Sequence, residues 1–292
     1  LEEVKVDQDQ LQKFLGELVS EVIAKESLFL FRAKLICISP EHYVFFFMPH
    51  HMIWDGWSFD IFFEELNLAY TALINRALPQ FKSEVIINYK DYSTWINKQI
   101  SENRLTGEKN FWSEKLKLPL PLIDLTLKPR PLQMSHVGKT FSFTLDKDLV
   151  SSLEGFCLDQ GVSLYNVILT AFKIALASKS ATNDVIVGTP VRCRNFPELL
   201  NVIGYFVNTV ALRTYIEPQK RFAENLKAVI KTSIEAFDHS QLPYQEVMKL
   251  VKFPRDPSRT PIYQTFFSYQ DVSNRKPELA GNSYQQINID KN

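Results

Sequence analysis

Residues Tyr43 to Phe47 form an unbroken, aromatic-rich apolar run, after which the chain reads Met48-Pro49-His50-His51-Met52-Ile53-Trp54-Asp55-Gly56-Trp57-Ser58. A short apolar run of this composition predicts a buried strand, so the next residues are delivered from the edge of a sheet. Those residues include two imidazoles, a carboxylate and a glycine at fixed spacing. Imidazole is the one side chain whose ordinary pKa lies near neutrality, which suits it to taking and giving protons. A single histidine beside an aromatic strand reads as a hydrogen-bonded core residue. The pattern HHxxxDG between a strand and a helix points instead to a chemical site, because several roles agree.

Geometry narrows the chemistry. Leu28 to Ser39, a turn at Pro40-Glu41-His42 and Tyr43 to Met48 read as a hairpin. Successive side chains of a strand point to opposite faces, so an extended backbone sends one of His50 and His51 into a cavity and buries the other. Two ligands that diverge do not hold a metal. The remaining histidines, His42, His136 and His239, share no ligand spacing with the pair, so no metal site is expected. Gly56 eases the turn, and Ser58 is read as the N-cap of a helix carrying Ile61, Phe62, Leu66, Ala69, Tyr70 and Leu73 on one face. Asp55 is expected to orient its neighbours, its charge satisfied by backbone N–H groups or an arginine.

Composition excludes several classes. The 33 Lys and Arg balance 33 Asp and Glu, and no basic stripe stands out, so no nucleic acid is expected as a partner. No secretory signal is read, and the most apolar helix, near Val167 to Ala177, is interrupted by Lys173 and too short to span a bilayer. Three widely spaced cysteines, Cys37, Cys157 and Cys193, fit a reducing, cytoplasmic setting. Cys193 lies between Arg192 and Arg194, which favours a thiolate, although no nucleophile signature surrounds it. The chain opens on Leu1 and reads as a piece of something longer.

Helix and strand signals alternate along the chain. Helices are predicted at Gln8 to Glu26, Tyr89 to Ile100, Glu108 to Leu116, Asp146 to Gln160, Ser163 to Ser178 and Phe222 to Phe237. Strands are predicted at Gly138 to Leu145, where Phe141 and Phe143 alternate, at Asp184 to Val191 and at Gly204 to Ile216. The four prolines in Leu118 to Pro131 read as a semi-extended linker. The expected division is therefore 1–117, a linker at 118–136, and 137–292, in an α/β class with mixed sheets.

Five segments in order resemble the condensation domain of nonribosomal peptide synthetases. HHMIWDGWS matches that family's HHxxxDG motif, and Tyr89 to Trp95 is similar to its YxDYxxW element. Ile203 to Thr209 resembles IGxFVNT, His239 to Tyr244 resembles HQxxPFE with Ser and Tyr substituted, and Arg255 to Pro261 resembles RDxSRxP. The resemblance implies two lobes related to chloramphenicol acetyltransferase, meeting in a V with the active site between them. It also implies an N-terminal lobe that is incomplete here, since nothing ahead of His50 resembles the family's two upstream motifs. One of those carries an arginine that pairs with the motif aspartate, so Asp55 is expected to lack its partner.

The activity implied is acyl transfer. An acceptor's amine attacks a donor's thioester, both carried on phosphopantetheine arms of carrier proteins, with adjoining synthetase modules in the same polypeptide and no cofactor bound directly. On this resemblance His51 is the catalytic residue, as general base or by positioning the amine. His50 and Asp55 support it, Gly56 lines the tunnel, and Asn208 either reaches the tunnel from the second lobe or stitches strand to loop. An epimerization-type relative and a silent carrier-docking domain are the alternatives.

Overall fold

A computed structural model describes residues 2–81, 87–126, 129–135, 137–253, 256–270, 279, 282–287 and 289. His136 and Arg255, both named above, lie outside them. The chain forms two compact units, each assembled from separated segments: 1–96, 194–206 and 272–292 in the first, 97–193 and 207–271 in the second. This differs from one cut at a linker. The proline-rich stretch belongs to the second unit, where Ile123 is buried and its N–H donates to Gln264 Oε1, and the N–H of Met134 donates to Pro257 O. Proline removes donors from a ladder, but the remaining apolar side chains still dock.

In the first unit, β1 (Glu2–Lys5) lies parallel to β2 (Phe31–Ser39), which pairs antiparallel with β3 (His42–Pro49). Helix α1 (Leu11–Ser20) packs Leu11, Leu15 and Leu18 against Ile36 and Phe46. It is shorter than its apolar pattern, which runs on past Ser20; Val22 is largely exposed. α2 (Gly56–Ile74) follows the histidine loop, and α3 (Tyr89–Ser101) begins in this unit and continues into the next. Tyr89 and Tyr92 set their rings against Phe206, and Trp95 meets Phe196 edge-on, so the YxDYxxW element serves as a packing strip.

The second unit contains α4 (Thr106–Lys115), α5 (Lys147–Gln160), α6 (Leu164–Lys179), β4 (Asp184–Arg192), β5 (Val207–Tyr215), α7 (Phe222–Asp238), α8 (Tyr244–Leu250) and the short β6 (Thr265–Phe266). β4 is central, antiparallel to β5 and parallel to β6. Asp146 and Ser163 cap α5 and α6, the first accepting from the Asp148 and Leu149 N–H groups and the second from the Asn166 N–H. The expected strand at 138–145 does not form. No described strand pairs with it, and Phe141 and Phe143 stand 86% and 74% exposed. Alternation alone does not make a strand without a ladder to join. Among the described residues no single helix is long and apolar enough to cross a membrane; the bent pair α5 and α6 reaches that length and composition only together.

Candidate functional site

The histidine loop leaves β3 at Pro49, one residue before the pair, so strand alternation does not carry through it. The two imidazoles nevertheless differ in kind. His50 is half-buried; its N–H donates to Leu30 O at 2.7 Å, and its Nδ1 accepts from the Met52 N–H at 3.0 Å. An accepting Nδ1 puts the proton of a neutral ring on Nε2. His51 is exposed, and its Nδ1 lies 2.8 Å from Trp54 O. A carbonyl can only accept, so this Nδ1 carries a hydrogen, and in the neutral ring Nε2 then holds the lone pair. As neutral rings the two take opposite tautomers, and His51 is the one whose Nε2 carries the lone pair. Neither is fully buried, contrary to the expectation of one structural and one cavity histidine. Among the described residues no three His, Cys, Asp or Glu side chains gather as a metal site.

Asp55, not Ser58, is the N-cap of α2. Its backbone is extended and its carboxylate accepts from the Ser58 N–H at 2.9 Å. Ser58 is the third residue of the helix and fully buried. Gly56 is the exposed first residue of α2, in helical conformation, so the turn makes no demand for a left-handed glycine.

The carboxylate of Asp55 has a full set of partners. It accepts from Ser58 Oγ at 2.8 Å and from the Phe206 N–H at 3.0 Å, and Arg194 Nη2 lies 3.0 and 3.2 Å from its two oxygens. Asp55 and Arg194 side chains are 3% and 0% exposed. Arg194 also donates to Leu199 O and Val202 O and lies 4.1 Å above the Phe206 ring. Asp55 does not go without an arginine, contrary to the expectation drawn from the missing upstream motif: the partner comes from 139 residues downstream. Sequence reasoning met Arg194 only as a neighbour of Cys193. The signal that would have found it is the buried carboxylate itself, which requires a cation from somewhere in the chain.

Ser58 Oγ accepts from the Gly204 N–H at 3.1 Å and lies 3.0 Å from Gly204 O. A Cβ at position 204 would lie 2.5 Å from the Tyr89 ring, so any residue but glycine there must displace that ring. Burial raises the pKa of Tyr89, with further contributions from Tyr205 and Asp55. Trp57 Nε1 donates to Leu200 O at 2.7 Å, a further tie between α2 and this segment. Tyr205, another residue the sequence did not single out, meets His51 edge-on with ring centroids 5.3 Å apart.

Asn208 lies at the start of β5, in the second unit. Its amide nitrogen donates to Ser240 O and Leu242 O at 2.7 and 2.9 Å, and its oxygen accepts from the Thr209 and Tyr244 N–H groups at 2.8 and 3.0 Å. Two donors and two acceptor positions are the whole capacity of the side chain. Of its two expected roles, the geometry builds the stitch from strand to loop. Cys193 is buried, and burial pushes its pKa up to about 11 despite the arginines on either side in sequence. It is an ordinary thiol.

Residues 1–291 match the family model described as the condensation domain. The chain is 31% identical over 273 residues to gramicidin S synthase 2 of Brevibacillus brevis, covering 93% of this chain and 6% of that protein. It is 33% identical over 262 residues to malpinin synthetase of Mortierella alpina, covering 89% and 3%. The chain thus spans only a small fraction of the length of these two relatives. Among solved structures, the X-domain from teicoplanin biosynthesis aligns with a TM-score of 0.79 at 22% identity, covering 90% of this chain and 60% of that one. The first condensation domain of the calcium-dependent antibiotic synthetase aligns with a TM-score of 0.74 at 15% identity, covering 96% and 61%. At those identities the likeness is one of fold.

Proposed function

Because the chain belongs to the condensation-domain family of nonribosomal peptide synthetases, we propose that it joins a donor acyl or peptidyl thioester to an acceptor amine. Both substrates arrive on the phosphopantetheine arms of donor and acceptor carrier proteins. The amine nitrogen attacks the thioester carbonyl carbon, a C–N bond forms, and the C–S bond breaks to leave an amide and a thiol. The proton lost by the amine passes to His51 Nε2 and from there to the departing thiolate.

The observation that carries this reading is the His51 imidazole: exposed, and pinned through Nδ1 to Trp54 O with Nε2 left basic. Such a nitrogen suits an amine that must be held unprotonated and aimed. The buried Asp55–Arg194 pair fixes the end of the loop at the start of α2, and both Asp55 oxygens are taken up by protein donors. A second reading, a docking domain, draws on the teicoplanin X-domain, a further solved structure of which is a complex with OxyB.

The test places this segment in its full-length protein, loads both carriers, and measures the condensed product by mass spectrometry. His51→Ala is expected to lower its rate by roughly a hundredfold or more, the usual worth of a proton-transfer group. Equal product in wild type and variant would remove His51 from the mechanism. No product from the wild type with both carriers loaded would favour docking.

A further inference from the structure

We propose that Tyr205 is a positioning residue for the His51 imidazole, aligned by the buried Asp55–Ser58 pair. This rests on the reading that His51 carries the reaction. A single hydrogen bond, Nδ1 to Trp54 O, leaves a side chain free to swing about that contact, and Nε2 swings with it. A ring set edge-on against the imidazole removes that freedom. Tyr205 supplies one, at 5.3 Å between centroids and 76° between planes.

The backbone around Tyr205 is gripped on both sides by the motif. Ser58 Oγ holds Gly204 through the amide N–H at 3.1 Å, and its hydrogen serves Asp55 Oδ1 or Gly204 O. Asp55 Oδ2 holds the Phe206 N–H at 3.0 Å. Gly204 is wedged against the Tyr89 ring, and the Phe206 ring is trapped between Arg194, Tyr89 and Tyr92. With the backbone fixed at 204 and 206, the half-exposed ring of Tyr205 stands beside His51. The carboxylate of HHxxxDG thereby reaches its own histidine twice: along the loop, and through Tyr205 by way of a segment about 150 residues downstream.

The experiment uses the full-length protein with both carriers loaded. Tyr205→Phe keeps the ring and is expected to keep kcat within about twofold. Tyr205→Leu and Tyr205→Gln remove it and are expected to lower kcat roughly tenfold with KM little changed, as misplacing a catalytic group does. Two ringless variants are run so that a folding loss in one, seen by thermal melting, leaves the other to decide. The ring protons of His51, followed by NMR, are expected to carry a ring-current shift in wild type and Tyr205→Phe that both ringless variants lose. Wild-type kcat in a ringless variant, while His51→Ala is inactive, would overturn the proposal and leave the His51 reading intact. Absence of the ring-current shift in wild type would overturn it equally. Full activity in His51→Ala would instead strike the underlying reading.

Discussion

Among the described residues each unit buries one cation, and the two are treated in opposite ways. In the first, Arg194 meets a carboxylate: Asp55, Ser58 and three backbone carbonyl or amide groups close around the pair. In the second, Lys173 of α6 is fully buried with only neutral acceptors, Leu212 O at 2.6 Å and Thr214 Oγ1 at 2.8 Å. Burial, aided by Lys115 and opposed by Asp184, holds the Lys173 pKa well below its usual value. The difference lies in the partner. A buried nitrogen that faces a carboxylate is a charged tether able to fix two distant segments in register. One that faces carbonyl and hydroxyl is drawn toward its neutral form and acts as a strut between helix and strand.

The largest effect is expected from breaking the tether. Asp55→Ala leaves the Arg194 guanidinium buried without its counter-charge and should cost about 3–5 kcal/mol of stability, read from denaturant unfolding midpoints. Asp55→Ala combined with Arg194→Met should cost clearly less than the sum of the single changes, because the second removes the charge the first stranded. Additive losses would show that the two act independently. A smaller effect is expected at Asn208, the neutral counterpart of the tether. Asn208→Leu strands Ser240 O, Leu242 O and the Tyr244 N–H beside a side chain that cannot bond them, a loss of about 1–3 kcal/mol. Unfolding midpoints equal to wild type would mean that water replaces the amide.

Legibility in the sequence divides along the same line between local and distant. The hairpin, the histidine loop and the helix after it were legible, because strand, turn and helix signals within about 30 residues fix them. That Asp55 would orient its neighbours and be satisfied by backbone N–H groups or an arginine was legible too, since a buried carboxylate must be paired. Which arginine was not: Arg194 meets it only once the segment between β4 and β5 has folded onto the first unit's helices. Ser58 reads as a cap by local preference, and the competition was won by Asp55 three residues earlier, whose charge the helix N-terminus favours. Residues 138–145 show the converse, a clean alternating pattern with no described strand to receive it. α8 escaped notice because seven residues give too short a period to read.

The smallest expected effect is the most direct probe of the strut. The folded pKa of Lys173 lies below its value in the unfolded chain, near the usual ~10.4. Between those two values the unfolded chain binds more protons than the folded one, so wild-type stability rises with pH across that window and is flat below it. Lys173→Met removes the titrating nitrogen at similar volume. The lost donor to Leu212 O and Thr214 Oγ1 is offset by the relief of a buried amine, and the net change in stability at neutral pH is expected to be about 1 kcal/mol. The substitution should also abolish this contribution to the slope, so that wild type gains on the variant as pH climbs through the window below the unfolded value of ~10.4. Unfolding free energies of both proteins at several pH values measure the difference. Parallel curves would place a charged lysine inside the second unit, and the contrast with Arg194 would then rest on geometry alone.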